Sequence, residues 1–212
     1  RSAGDQTTAE TNLTTSFSVR SGARIVNTQK NMSQGSMIST DNSLDLAIEG
    51  TGFFQVLLPD GRIGYTRNGS FSTNAEGTLT TASGYVIQPE VQIPAGASQI
   101  NISRDGIISV LQQGADNAEN VGQLTIADFT NRIGLQPVGE SFFTRTDTSG
   151  EPIVGNPQEE GLGRIIQGSL EAANVNVVQE LVEMIETQRA YEVSSKSITS
   201  VDEMLRFISN TL

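Results

Sequence analysis

Short apolar runs separated by turn dipeptides fill residues 44–143. Glycine takes positive φ without steric cost, so these dipeptides suit tight turns. The dipeptides or tripeptides are Pro59-Asp60-Gly61, Asn68-Gly69, Glu76-Gly77, Ser83-Gly84 and Asp105-Gly106. Turns that recur every ~8–12 residues predict a β-rich domain over 44–143. The predicted strands cover residues 53–58, 63–66, 70–71, 78–79, 85–87, 100–102, 107–111 and 123–127.

The end of the chain has the periodicity of one long helix. Residues 174–212 contain neither Pro nor Gly, and apolar side chains recur there at intervals of seven. Polar residues at 188, 195 and 202 lie on the flanks of this line, so it predicts an imperfect coiled-coil seam, with Asn174 or Asn176 as the helix cap. The predicted self-assembly stripe consists of Val177, Leu181, Met184, Ile185, Tyr191, Ile198, Val201, Leu205, Ile208 and Leu212.

Two partners for this stripe are open at the level of sequence. A helix of about 37 residues reaches ~55 Å, which is longer than a small β-domain is wide. The helix either folds back on the β-domain, with a break near Ser194-Ser195, or packs on helices outside this sequence. Those helices belong to a preceding segment or to other copies. Because the sequence begins at Arg1 and not at Met, we expect a fragment.

The two remaining segments have little apolar periodicity. Residues 1–43 are polar and predict an extended arm, with short strand-like alternations at 17–19 and 24–26. Residues 144–173 are rich in Gly and Pro and predict a loop that returns to the core.

Composition excludes several kinds of chemistry. The chain has no His and no Cys, so imidazole catalysis, thiolate catalysis, zinc–cysteine sites and disulfides are excluded. The net charge of -11 opposes non-specific binding to nucleic acid. Glu159 and Glu160 are adjacent carboxylates in a Gly-rich segment, a pattern more typical of solvated residues than of a catalytic pair. We expect no enzyme activity, cofactor or metal site, and no membrane-spanning segment or secretory signal is visible.

Three separated motifs resemble the bacterial flagellar rod and hook family. They are residues 46–56 (LAIEGTGFFQV), residues 65–71 (YTRNGSF), and the tail at 168–178 (GSLEAANVNVV) with 180–192 (ELVEMIETQRAYE). Within the family, the segments around 93–95, 104–110 and 121–124 resemble the members that form the distal rod. The motif residues are Gly50, Gly52, Phe53, Phe54, Tyr65, Thr66, Arg67, Gly69, Phe71, Asn174, Asn176, Gln188, Arg189, Ala190 and Tyr191.

The resemblance implies a structural subunit without catalysis. Copies are expected to stack helically into a rigid hollow tube that crosses the periplasm, transmits torque from motor to hook and passes export substrates. The implied partners are further copies, proximal rod subunits, hook subunits and the surrounding ring proteins. The resemblance also implies export without a cleaved signal, and an N-terminal helix that this sequence lacks.

Two other interpretations remain at this stage. The chain is alternatively a proximal rod or hook subunit of the same family. A glycan-binding or glycan-cleaving envelope protein that uses Glu159 and Glu160 is a third interpretation, from a different functional class.

Overall fold

The computed structural model describes residues 6–8, 11–12, 30–114 and 117–211, with only the backbone of 6–8, 11–12 and 208–211. The chain divides into two compact units, Arg1–Asn31 and Met32–Leu212. In the first unit, strand β1 (Gln6–Thr8) pairs antiparallel with β2 (Thr11–Asn12). The strand-like alternations predicted at 17–19 and 24–26 lie outside the described residues.

The second unit is mainly β and ends in one long helix, which confirms the predicted fold class. Its strands are short and punctuated by turns, as the glycine-containing dipeptides predict. They are β3 (Met37–Ser39), β4 (Leu46–Glu49), β5 (Phe53–Leu57), β6 (Ile63–Thr66), β7 (Phe71–Thr73), β8 (Leu79–Thr81), β9 (Ile87–Gln88), β10 (Ala97–Ile102), β11 (Ile107–Gln112), β12 (Glu119–Gln123), β13 (Ile126–Asp128), β14 (Gln136–Gly139), β15 (Phe142–Thr144), β16 (Ile153–Gly155), β17 (Arg164–Gln167) and β18 (Ser169–Glu171).

The largest sheet is antiparallel and has the order β14-β15-β6-β5-β13-β16. Strand β9 pairs with the second half of β5, so β5 is hydrogen-bonded on both sides. Strands β10, β11 and β12 form a separate antiparallel sheet. The remaining pairs, β4 with β17, β3 with β18 and β7 with β8, have two strands each.

Side chains of β5 point alternately into two cores, because successive residues of a strand face opposite sides. Phe54 and Val56 enter the larger core, together with buried residues of the other sheets. Phe53 enters a smaller aromatic core that also holds Tyr65, Phe129 and Leu135. The sheet containing β5 is therefore covered on both faces.

The loop predicted over 144–173 is wrong at three places, where the structure has β16, β17 and β18. Strand β17 pairs with β4, and β18 pairs with β3, over sequence separations of more than 110 residues. Strands of three or four residues show too short an alternation of apolar and polar residues to be predicted from neighbouring residues, and their partner strands are distant in the sequence. Leu162 and Ile165 of this segment are buried.

Three smaller differences concern boundaries and turns. Residues 32–43 of the predicted arm belong to the second unit, where β3 is paired. The strand predicted at 123–127 is divided between β12 and β13. The turn pattern predicts positive φ at all five turn glycines. Four of them have it, and Gly69 does not. A Cβ at position 69 would lie 1.6 Å from the carbonyl oxygen of Leu46, so a close approach of two backbones requires glycine there.

Candidate assembly interface

Helix α1 (Val177–Thr211) is continuous through Ser194 and Ser195, without the break considered above. Its start is capped by Asn176, one of the two predicted caps. The Asn176 side-chain oxygen accepts hydrogen bonds from the backbone N–H of Val178 at 3.1 Å and of Gln179 at 3.4 Å. These bonds satisfy donors that the first helical turn leaves free.

The self-assembly stripe lies exposed along α1. Every described side chain of the helix, from 177 to 207, is exposed, so the helix does not fold back on the β-domain. Tyr191 is 76% exposed and Ile198 is 64% exposed. Ile208 lies in the helix, but its side chain and all of Leu212 are outside the described residues. The apolar stripe is thus available to a partner over its described length.

A two-stranded stem connects the helix to the β-domain. Strand β18 runs antiparallel to β3, and the N–H of Ala172 donates to the carbonyl of Ser36 at 2.8 Å. The side-chain amide of Asn174 donates to the carbonyl of Ser33 at 2.9 Å. Gly35 approaches Ala172 so closely that a Cβ at position 35 would lie 1.8 Å from its carbonyl oxygen. The residues just before the helix, Ala172 and Asn174, are therefore held against the segment that precedes β3.

The base of this stem is joined to the β-domain by the Arg67 junction. We use this name for the guanidinium of Arg67, the carboxylate of Glu171, the side chain of Gln34, the N–H of Gly35, and the carbonyls of Ile48, Gly50 and Gly52. The Arg67 Nε donates to Glu171 at 2.8 Å, and Nη2 lies 2.6 Å from the same carboxylate. Nη1 donates to the carbonyls of Gly50 and Gly52, both at 2.9 Å, and Nη2 donates to that of Ile48 at 3.0 Å.

The backbone of the turn between β4 and β5 supplies these carbonyls. Gly50 and Gly52 have φ of +106° and +131°, a region that side chains disfavour, and this explains why the motif has glycine at both positions. Gln34 completes the junction, because its amide donates to the carbonyl of Ile48 and accepts from the N–H of Gly50, both at 3.1 Å. Glu171 accepts from the N–H of Gly35 at 2.9 Å.

The aromatic motif residues are core residues. Phe54 and Phe71 pack edge to face with ring centres 5.1 Å apart. Tyr65 packs on Phe129 at 4.7 Å, and burial raises the pKa of its hydroxyl. Thr66 is buried, and its side-chain oxygen accepts from the N–H of Asn68. The remaining motif residues, Gln188, Arg189 and Ala190 beside Tyr191, lie exposed on α1.

A second ion pair joins Asp128, the last residue of β13, to Arg132 in the turn that follows. Arg132 donates to both oxygens of Asp128 at 2.7 Å. Burial raises the pKa of the Asp128 carboxyl, but the hydrogen bonds from Arg132, its charge and nearby donors outweigh this, so the pKa is lowered overall.

The carboxylates considered for catalysis do not form a site. Glu159 accepts from the side chain of Asn156 at 3.0 Å, and Glu160 is exposed with φ of +50°. Among the described residues there is no group of three or more side chains able to hold a metal ion. No helix within the described residues is both long enough and apolar enough to cross a membrane.

Glu171, Gln34 and Gly35 are the junction residues that sequence reasoning missed. Glu171 was visible within the tail motif, but its partner Arg67 is 104 residues away. No periodicity links such a pair. The only available signal was the presence of both residues inside family motifs.

Sequence comparison decides the family. Residues 47–110 match the family described as "Flagellar hook protein FlgE/F/G D1 domain", and residues 166–211 match "Flagellar basal body rod FlgEFG protein C-terminal". The flagellar basal-body rod protein FlgG of Buchnera aphidicola from Schizaphis graminum is 48% identical over 209 residues, covering 99% of this chain and 80% of the relative. The chain belongs to the FlgG family of flagellar basal-body rod proteins.

A comparison within one organism separates FlgG from a neighbouring rod family. The FlgG of Caulobacter vibrioides is 39% identical over 98% of this chain and 79% of the relative. The FlgF of the same bacterium is 34% identical over 84% of this chain and 69% of the relative. The chain is therefore a structural subunit of the flagellar rod of the distal, FlgG type. Neither a proximal rod or hook subunit nor a glycan-binding or glycan-cleaving protein is favoured.

Proposed function

We propose that copies of this chain assemble helically, through the self-assembly stripe of α1, into the rigid hollow tube of the distal rod. The observation that carries the proposal is a helix of 35 residues whose described side chains are all exposed. Packing of an apolar face supplies most of the stability of a helix. A helix about 52 Å long that covers none of its stripe within one copy is suited to burial between copies.

Burial of the stripe contributes free energy to assembly. Full burial of a fully exposed large aliphatic side chain is worth about 1.5–3 kcal/mol, and the described stripe side chains start about half to three-quarters exposed. Each therefore contributes part of that value toward an association cost of about 4–15 kcal/mol. The main line of the stripe repeats every seven residues, which is 3.5 residues per turn, whereas a straight α-helix has 3.6. Packed helices are therefore expected to wind around one another with a left-handed twist.

The tube would have two layers. The α1 helices form the inner layer around the bore through which export substrates pass, and the β-domains form the outer wall. Torque applied to the wall reaches the helices through the stem and the Arg67 junction, which are the covalent and ionic links between these layers. In this proposal the outer wall is the β-domain predicted at 44–143 together with β16, β17 and β18, and the inner layer is the helix predicted at 174–212.

The remaining partners and the location are also proposals. The chain would contact proximal rod subunits at one end of the tube, hook subunits at the other, and the ring proteins around it. It would work in the periplasm after export without a cleaved signal. Its relatives are named as basal-body rod proteins, and this supports a role in the basal body without enzymatic chemistry.

Charge introduced into the stripe tests the proposal. Leu181→Asp and Ile198→Asp place a carboxylate in the interface, and we expect loss of rods in cells that carry the complete natural gene with either change. The matched control is Glu186→Lys, a larger change of charge on the same helix, at least about 100° around the axis from the neighbouring stripe residues Leu181, Met184, Ile185 and Tyr191. Normal rods with Leu181→Asp and Ile198→Asp would contradict the proposal, whereas soluble monomers with an unchanged β-domain would support it.

A further inference from the structure

A short segment, residues 173–175, connects the stem to helix α1. On its stem side, the N–H of Ala172 is still bonded to the carbonyl of Ser36. On its helix side, Asn176 already caps the first turn of α1. We call residues 173–175 the joint. Because regular structure lies on both sides of it, a change in the angle between the helix and the β-domain has to occur in the joint.

The stem side of the joint is fixed to the β-domain. Glu171 accepts from the Nε of Arg67 at 2.8 Å and from the N–H of Gly35 at 2.9 Å. The backbones of Gly35 and Ala172 approach so closely that position 35 has no space for a Cβ. The stem therefore cannot shift on the β-domain without breaking the Arg67 junction.

The helix side of the joint is not held by packing. Val175, Val177 and Val178 are 53%, 66% and 71% exposed. A groove of about 600 Å³ lies between this end of the helix and residues 33–36. The start of α1 therefore has room to move, and its direction depends on the hydrogen bonds that the joint makes.

One side chain of the joint reaches across to the other side of the stem. The side-chain amide of Asn174 donates to the carbonyl oxygen of Ser33 at 2.9 Å and to its Oγ at 3.1 Å. We infer that this contact is a latch that holds α1 at one angle to the β-domain. Val175, the residue between the latch and the helix cap, is the hinge about which the helix turns when the latch opens.

The two asparagines beside the hinge have opposite roles in hydrogen bonding. Asn174 is a donor, since the Ser33 carbonyl only accepts, whereas Asn176 is an acceptor from the N–H groups of Val178 and Gln179. An ionised carboxylate accepts but does not donate. Asn174→Asp therefore opens the latch. Asn176→Asp keeps the cap, because Asn and Asp are about equally good caps. The same change two residues apart thus separates the latch from an added charge.

A fixed helix angle matters for the assembly proposed above, and this part of the inference rests on that proposal. Every copy in a helical tube sends its helix from the outer wall to the inner layer at the same angle. A copy whose helix swings is competent to dock for only a fraction of the time, and its apparent affinity falls by that fraction. Loss of one neutral hydrogen bond changes such an equilibrium by about 2- to 13-fold.

Distances between two spin labels on the dilute, unassembled protein test the latch. Ser72→Cys places one label on the β-domain and Ser195→Cys places the other on α1, and both positions are exposed. The complete natural chain carries the labels, and the 212 residues contain no Cys of their own. Position 195 lies about 30 Å along the helix from Val175, so a swing of about 20° displaces its label by about 10 Å.

We expect a narrow distribution of distances with Asn174 in place, a distribution broadened by several ångströms with Asn174→Asp, and an unchanged one with Asn176→Asp. The control pair, Ser72→Cys with Ser36→Cys, reports on the stem and should stay narrow in all three proteins. Equal distributions in all three proteins overturn the latch, and broadening of the control pair overturns the position of the hinge. These measurements need no assembly, so either failure leaves the proposed function intact.

Electron microscopy of basal bodies tests the role of the latch in assembly. Cells whose complete natural gene carries Asn174→Asp should have at least about twofold fewer complete rods, and cells with Asn176→Asp should have the normal number. Normal rods with Asn174→Asp, although its label distances are broadened, overturn this role. Rods that lack this chain altogether refute the proposed function itself.

Discussion

At the scale of single residues, Arg67 connects more parts of the molecule than any other motif residue. Its guanidinium reaches Glu171 on the stem and three carbonyls in and before the turn between β4 and β5. The planar fork of arginine makes these bonds simultaneously, which an ammonium group does not. The junction therefore holds the stem against the β-domain in one orientation.

We expect Arg67→Ala to lower the free energy of unfolding by about 2–3 kcal/mol, because it removes the guanidinium from a mostly buried carboxylate and three carbonyls. Arg67→Lys should recover little of this loss. The matched control is Arg62→Ala, which removes an exposed pair with Asp60 and should have little effect. Urea unfolding of the three variants measures the difference, and equal losses for Arg67→Ala and Arg62→Ala would contradict the role of the junction.

Gly69 is required by space and not by its backbone angle. A Cβ at this position would lie 1.6 Å from the Leu46 carbonyl oxygen, so Gly69→Ala should cost about 3 kcal/mol or more. Gly61 is the matched control, since it has φ of +80° but open space around it. Gly61→Ala should cost only about 1 kcal/mol. Thermal unfolding compares the two, and a milder effect at position 69 would refute the steric explanation.

The Asp128–Arg132 pair predicts an acid-sensitive contribution to stability. The folded-state pKa of Asp128 is lowered, so its contribution is complete above the unfolded pKa of about 3.9 and is lost as pH falls through the folded value. We expect Asp128→Asn to lower the free energy of unfolding at pH 7 by about 1 kcal/mol or less, because the pair is partly exposed. The difference between the two proteins should shrink below about pH 4. A difference that stays constant down to pH 2 would contradict this.

At the scale of elements, the sequence predicts those strands, turns and helices whose pattern lies within a few neighbouring residues. Strands β5 and β6 and the turns beside them were predicted because apolar runs and glycine dipeptides alternate there, and α1 was predicted from its seven-residue spacing. Strands β17 and β18 were missed because each depends on a partner more than 110 residues away. The Arg67 junction was missed for the same reason, since long-range ion pairs leave no local pattern.

The exposed helix predicts uneven stability within one copy. The β-domain buries two cores, whereas α1 buries none of its described side chains. We expect the amides of α1 to exchange with solvent much faster than those of β4 and β5 in the monomer, and to become protected in rods. Hydrogen exchange read by mass spectrometry measures both states. Equal protection of helix and strands in the monomer, or a helix that stays unprotected in rods, would contradict burial between copies.

At the scale of the whole molecule, the β-domain and helix α1 differ in how much of their apolar surface one copy buries. The β-domain completes its cores within one copy, so it can fold before assembly. In the proposed assembly the helix is covered by neighbouring copies, so its stability would be linked to the concentration of assembled copies. The relatives of this chain are named as basal-body rod proteins, and a subunit with a folded β-domain and an exposed helix agrees with a role in such an assembly.

Electron microscopy of basal bodies from cells that lack this chain tests the central claim most directly. A distal-rod subunit predicts a rod that stops short and carries no hook, and full rods should return when the complete natural gene is restored. A complete rod that lacks only the hook, or flagella of normal appearance, would contradict the assignment to the distal rod.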